Sequence, residues 1–291
     1  MNKLDNRFAT ALKNLSDAPP PLAEAIRQFN EISETPDVLI FSPAFTTMDI
    51  CRPASLLALT RTHWAIATQS ALSGRHSAVA EAAAAFGSDY GHTLAVELSI
   101  LLLDGRLALH GAGIGPGEHI IYFNTVMEKI YRDAAFFSLN QIASESINDR
   151  RVTAAVAQAI SGSELSMKFK SALERFTPPG EKVISYVAWP VVFGGFHRQF
   201  APAAMLVRTS RFLILISDDP PTGGLFHNPQ QNLGYVVTYM PLQHIRGVAL
   251  GGDSKLTTLE INLAAGRTSE SVAILVPNES MSAVERVAGP A

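Results

Sequence analysis

The segment PASLLALTRTHWAIAT, residues 53–68, decides the fold because its pattern occurs again later in the chain. It aligns without gaps with PAAMLVRTSRFLILIS, residues 202–217, with proline, alanine, leucine and threonine matched and apolar residues facing apolar residues at most other positions. Both segments have the apolar character of β-strands. An internal repeat of this kind indicates two copies of one structural unit.

A second gapless match supports the same repeat. RLALHGAGIGPGEHIIYFNTVMEKI, residues 106–130, aligns with EINLAAGRTSESVAILVPNESMSAV, residues 260–284, so that Asn124 falls on Asn278. Each asparagine stands just before an amphipathic segment, where its side-chain oxygen can cap a helix. Short strand-like runs precede and separate the two matches in each copy. Each copy is therefore predicted to contain several strands followed by one helix.

Helical segments are predicted to precede each copy. Apolar residues recur at helical spacing near the N-terminus and twice in the linker, at Leu22, Ile26, Phe29 and Ile32, at Val152, Val156, Ala159 and Ile160, and at Leu165, Phe169, Leu173 and Phe176. The first of these helices is expected to end near Pro36. The resulting organisation is a helical N-terminal segment over 1–36, a first domain over 37–147, a helical linker over 148–180 and a second domain over 181–291.

The paired segments resemble the second and third strands of bacterial pleckstrin-homology-like and GRAM-like domains. Those domains often carry an apolar-Thr-x-x-Arg-apolar pattern. RTSRFLILI resembles it, with Arg211 in the arginine position one residue nearer the threonine, whereas TRTHWAIA has Arg61 and His63 instead. The resemblance implies an α+β fold of two partly open β-barrels, each closed by a C-terminal helix. It does not by itself define a function, because domains of this fold bind lipid headgroups, peptides or protein surfaces.

Composition narrows the class of protein. The formal net charge of −3 argues against a protein that binds nucleic acid by neutralising many phosphates. The single Cys51 cannot form an internal disulfide, and no secretory signal or run of roughly 18 apolar residues is present. We therefore expect a cytoplasmic protein without a transmembrane segment. The alternative location is peripheral attachment to a membrane. Hydrophobic residues make up 47% of the chain, which favours self-association.

The motifs that suggest chemistry do not fit their templates. GAGIGPGEH, residues 111–119, lacks the third glycine of a dinucleotide fingerprint and precedes a strand-like run, so it is predicted to connect two strands. His110 and His119 are expected to face each other across this connection as a surface or cross-strand pair. Cys51 has no partner histidine nearby in sequence and is interpreted as unreactive. We expect no cofactor, no metal and no catalytic residues, with an enzyme built on an unfamiliar site as an alternative.

The remaining hypothesis is a tandem module for binding proteins or assembling a complex. The candidate contact residues lie in loops and are Arg52, Phe196, His197, Arg198, Leu225 and Phe226. Exposed apolar residues on a loop suit a partner protein, whereas Arg52 or Arg198 could contact an acidic lipid headgroup. Protein binding or self-association is thus predicted first, and lipid binding is the alternative.

Overall fold

The computed structural model describes residues 8–47, 50–69, 83–101, 103–111, 119–143, 166–193, 199–218, 234–252 and 256–289. The chain divides into two compact units, one ending at Ile142 and the other beginning at Ala143. Both units are mixed structures with mostly antiparallel strands and few helices. The described strands form open sheets, and no closed barrel occurs among them.

Ten strands and two α-helices make up the described part of the first unit. They are β1 (Thr10–Ala11), α1 (Pro20–Arg27), β2 (Val38–Ser42), β3 (Phe45–Thr47), β4 (Ile50–Arg52), β5 (Ser55–Leu59), β6 (His63–Gln69), β7 (Ala83–Asp89), β8 (Ala95–Leu101), β9 (Asp104–His110), β10 (His119–Phe123) and α2 (Glu128–Ile142). One sheet has the order β1-β2-β5-β6-β7. Strands β8, β9 and β10 pair in sequence, and β3 pairs with β4 as a hairpin.

The central strands β5 and β6 are apolar at nearly every position because both of their faces are covered. Helix α1 places Leu22 and Ile26 against one face, in a cluster that includes Leu56 of β5. On the other face, Trp64 is fully buried and its ring lies 5.3 Å from the ring of His119 in β10. Burial on two faces explains why this segment lacks the alternation of a strand that has one face in water.

The N-terminal segment is less helical than its sequence predicts. Helix α1 ends at Arg27, so Phe29 and Ile32 lie in a non-helical stretch before Pro36. Interactions between residues distant in sequence explain the early end. The guanidinium of Arg27 lies 2.6 Å from the Glu34 carboxylate, and the Leu15 N–H donates to the Glu34 carbonyl. The backbone bond between Leu15 and Glu34 is one that a continued helix would break, whereas the exposed ion pair adds little stability.

The second unit contains nine strands and two α-helices among its described residues. They are α3 (Met167–Phe176), β11 (Val183–Trp189), β12 (Val192–Phe193), β13 (Gln199–Ala201), β14 (Ala204–Thr209), β15 (Phe212–Asp218), β16 (Tyr235–Pro241), β17 (Ile245–Gly252), β18 (Leu256–Ala265), β19 (Thr268–Pro277) and α4 (Met281–Ala288). Strand β14 pairs with β11 and β15, β15 also pairs with β16, and β17, β18 and β19 pair in sequence. The C-terminal helix α4 packs on β11 and β14.

Helix α3 packs on one of these sheets. Its Phe176 is fully buried, with its ring 5.5 Å from the ring of Tyr235, and the hydroxyl of Tyr239 donates to the Phe176 carbonyl at 2.9 Å. The helix ends before Pro178 and Pro179, as the sequence predicts. The other helix predicted in the linker, at Val152 to Ile160, lies outside the described residues.

Candidate functional site

Among the predicted contact residues, Arg52 is the one that the structure describes. It ends β4, and its guanidinium forms an ion pair with Asp104 of β9 and lies 3.9 Å from the ring centroid of Tyr122. The Arg52 side chain is 19% exposed, so its charge is largely neutralised within the first unit. Phe196, His197, Arg198, Leu225 and Phe226 lie outside the described residues, and their predicted role stays a prediction.

The glycine-rich stretch joins two strands, as predicted. Strand β9 ends at His110, and β10 begins at His119 and runs antiparallel to it. The two histidines do not face each other, however. His119 pairs with Leu109, and because neighbouring side chains of a strand point to opposite faces, His110 lies on the other face. His119 stacks on Phe86, while His110 lies 3.9 Å from the Glu97 carboxylate.

A groove lies in the second unit, with a volume of about 570 Å³. Strand β17 forms one wall and the C-terminal half of α4 forms the other. Its lining is mostly apolar, with the charged side chains of Arg208, Arg246 and Glu285 and the side chains or backbone of Leu242, Ile245, Gly247, Val248, Leu250, Ala288 and Gly289. The volume lies within the range of about 300–1,000 Å³ that is usual for ligand sites in proteins.

Strand β17 is an edge strand beside this groove. Within the described residues it pairs with β18 alone. Consecutive residues from Ile245 to Val248 line the groove, and the register of β17 against β18 shifts between Ile245 and Gly247, which interrupts the usual alternation of side chains at this point. An edge strand presents a row of backbone N–H and C=O groups that another strand can pair with.

Two glycines of β17 leave space along this strand. A Cβ atom added to Gly247 or to Gly251 would meet no described atom within 4 Å, apart from the chain neighbours. Neither glycine has the positive φ of the left-handed region, so backbone conformation does not require a glycine here. Gly247 lines the groove, whereas Gly251 does not. The missing side chain at Gly247 therefore keeps part of the groove open.

Arg208 reaches the groove from the end of β14. Its Nη1 donates to the Val287 carbonyl at 3.3 Å and to the Gly289 carbonyl, both at the C-terminus of α4. A cation at this end of a helix is stabilised by the orphan carbonyls and the helix dipole. Burial lowers the pKa of Arg208 below its usual value. The two other charged residues of the groove, Arg246 and Glu285, are exposed at its rim.

The threonine and arginine of the RTSRF motif serve the β14–β15 turn. The Thr209 hydroxyl accepts from the Phe212 N–H at 3.0 Å and donates to the Phe212 carbonyl at 3.1 Å. Arg211 forms an ion pair with Glu181, whose carboxylate also accepts from the Ser210 hydroxyl at 2.7 Å. The motif that resembles the pleckstrin-homology pattern is thus explained by local structure.

The groove residues were not predicted from the sequence, in which the candidate contact residues lie in loops. One signal was available in the repeat alignment: Arg208 interrupts the apolar strand AMLVRT at the position where the first copy has Leu59. A charged residue in an otherwise buried strand indicates a special environment. The sequence alignment did not show that α4 supplies that environment.

The chain matches no protein-family model and no curated protein. Among solved structures it is similar to a pleckstrin homology domain from Shewanella amazonensis SB2B, with 17% identity over 42% of this chain and 96% of that one, and a TM-score of 0.24. A score this low does not establish a shared fold.

Two classes of feature are absent from the described residues. These residues contain no cluster of three or more His, Cys, Asp or Glu side chains placed to hold a metal ion. They also contain no helix with the length and apolar character needed to cross a membrane.

Proposed function

We propose that the protein is a non-enzymatic binding module that holds an extended peptide segment of a partner protein along β17. The peptide adds to the open edge of this strand and places alternate side chains in the groove between β17 and α4. The observation that carries the proposal is the edge strand with an apolar groove directly beside it. In this mode, backbone hydrogen bonds give affinity and the side-chain pockets give specificity.

The rest of the proposal concerns the domains. We take the chain as a tandem pair of pleckstrin-homology-like domains over 37–147 and 181–291. Strand register supports the repeat, because the residue pairs of the two hairpins correspond in the gapless alignment. Ser55 pairs with Thr68 and Leu59 with Trp64 in the first hairpin. Ala204 pairs with Ser217 and Arg208 with Leu213 in the second. Each unit also ends in a helix that packs on its strands.

A peptide library tests the function. A phage-displayed library of random dodecapeptides is panned against the full chain, and we expect enrichment of sequences with alternating apolar residues. A Cβ atom at Gly247 meets no described atom within 4 Å, so Gly247→Trp adds a large side chain to the groove lining and should abolish retention of the enriched peptides. Gly251→Trp is the matched control, because it adds the same side chain to the same strand outside the groove. Equal retention by the wild-type chain and Gly247→Trp would overturn the proposal.

Lipid binding is the alternative function, and a separate experiment distinguishes it from peptide binding. Cosedimentation with anionic phosphatidylserine vesicles at low and physiological salt tests it, since attraction through Arg198 or Arg52 would weaken with salt. The ion pair of Arg52 with Asp104 favours the peptide proposal over the lipid one. Salt-sensitive vesicle binding together with no peptide enrichment would reverse that preference.

A further inference from the structure

We propose that the peptide held along β17 carries a carboxylate that pairs with Arg208. This inference rests on the proposed function and specifies the chemistry of its ligand. Among the described half-buried cations, Arg208 is the one without a carboxylate partner, and its guanidinium keeps donors that the described bonds do not use.

Every other half-buried lysine or arginine among the described residues has a carboxylate partner. These ion pairs are Arg52 with Asp104, Arg106 with Glu97, Arg132 with Glu128, Lys168 with Asp218, and Arg211 with Glu181. Arg208 instead bonds to two backbone carbonyls. Since burying a charge without a counter-charge is costly, a cation of this kind beside a groove is a candidate for a ligand that supplies the counter-charge.

The guanidinium retains the donors that a carboxylate needs. The described bonds of Arg208 use Nη1, whereas an arginine side chain presents five N–H donors in a planar fork. The remaining donors on Nε and Nη2 suit a carboxylate, which can accept two parallel bonds. The depressed pKa of Arg208, caused by burial, agrees with a cation that has no counter-charge among the described residues.

The fold itself does not require a cation at this position. Leu59 occupies the corresponding register position of the first unit, where it pairs with Trp64 as Arg208 pairs with Leu213, and it is fully buried. An apolar side chain is therefore compatible with this place in the hairpin. In the second unit Arg208 both bonds the C-terminus of α4 and lines the groove, and we infer that its remaining donors act in the groove.

The charges of the groove favour a carboxylate over a phosphate. Arg208 is the one half-buried cation of the groove, and Glu285 adds an exposed carboxylate to the same lining. A group with one negative charge matches one guanidinium, whereas a phosphate with nearly two charges would be repelled more strongly by Glu285. Two sources supply such a group, an acidic side chain and the C-terminal carboxylate of a peptide.

The experiment uses peptides enriched in the panning described above. Each is synthesised with its acidic side chains changed to amides, with its C-terminus amidated, or with both changes, and the Kd for the full chain is measured by calorimetry. We expect one of the single changes to raise the Kd by about tenfold to a hundredfold, which identifies the source of the carboxylate. An unchanged Kd for the doubly modified peptide would overturn the inference while the proposed function stands.

Protein variants locate the contact. In Arg208→Leu the affinity difference between acidic and amide peptides should disappear, and in Arg208→Lys it should shrink, because lysine keeps the charge without the fork. Glu285→Gln is the matched control and should tighten the acidic peptide more than its amide. If Arg208→Leu does not fold, Arg208→Lys and the peptide changes decide the result. A full difference that persists in either Arg208 variant contradicts the assignment, and a panning that enriches no peptide overturns both proposals.

Discussion

At the scale of single residues, two threonines make the same bonds in the two units. Thr60 accepts from the His63 N–H at 3.0 Å and donates to the His63 carbonyl at 3.0 Å, as Thr209 does with Phe212. The hydroxyl thereby satisfies both backbone groups of the residue three positions on. These bonds in the turn between the paired strands explain why both copies have a threonine at this position.

Replacing Thr209 with valine should destabilise the second unit. Thr209 is fully buried, so valine would leave the Phe212 N–H and carbonyl without this partner, and we expect a loss of about 1–3 kcal/mol. Urea unfolding measures the free energy. Thr209→Ser keeps the hydroxyl and should cost clearly less, and equal losses in the two variants would contradict the role assigned to the hydroxyl.

Glu181 makes the stability of the second unit depend on pH. Burial alone would raise its pKa, but hydrogen bonds from Ser210 and Arg211, with the Arg211 charge, hold the pKa below its usual value. A carboxylate with a lowered folded-state pKa contributes stability above its unfolded pKa and loses it as the pH falls through the folded pKa. Glu181→Gln should therefore unfold at lower urea than wild type at neutral pH, and the two curves should converge in acid.

That prediction needs a control for general acid effects. Glu174→Gln changes an exposed carboxylate in α3, so it should leave the pH dependence of unfolding close to wild type. A constant difference between Glu181→Gln and wild type across the whole pH range would argue that the amide disturbs packing and that titration of Glu181 plays no part.

At the scale of elements, the sequence was most informative about the hairpins. The gapless match of residues 53–68 with 202–217 identified the paired strands because their apolar and turn residues are local signals. The groove could not be predicted in this way. It forms where β14, β17 and α4 meet, and side chains from such distant parts of a chain are brought together by packing that periodicity does not record.

Helix α1 is an integral part of the first unit, although the sequence suggested a separate N-terminal segment. Its Leu22 and Ile26 are fully buried in a cluster with Leu39 and Leu56. A chain that begins at residue 37 should expose this face of the sheet, bind a hydrophobic dye and lose the cooperative unfolding of the first unit. Calorimetry and dye fluorescence measure these effects.

The matched control is a chain that begins at residue 8, which keeps every contact described for α1. It should melt like the full chain. Indistinguishable melting of the chains that begin at 8 and at 37 would show that α1 contributes little to the first unit.

At the scale of the whole molecule, the two units share an order of elements but differ in one charge. Leu59 and Arg208 occupy corresponding register positions, one fully buried and the other half-buried at the end of α4. Exchanging the residue types should therefore have unequal effects. Leu59→Arg buries a charge without a partner and should cost several kcal/mol, on the order of 3–5, whereas Arg208→Leu should cost about 1 kcal/mol.

Thermal unfolding of the two variants checks this asymmetry. Leu59→Met is the control for Leu59→Arg, since it changes shape without adding charge. Comparable losses in Leu59→Arg and Arg208→Leu would mean that the two positions have the same requirement, and the difference between the units would then need another cause.

The double covering of the β5–β6 hairpin has a consequence for the exchange of its amide hydrogens with solvent. With α1 on one face and the Trp64–His119 contact on the other, these amides reach water only when a large part of the first unit opens. In deuterium exchange they should be among the slowest of that unit. Amides on the open edge of β17 should exchange early, and a bound strand would slow them.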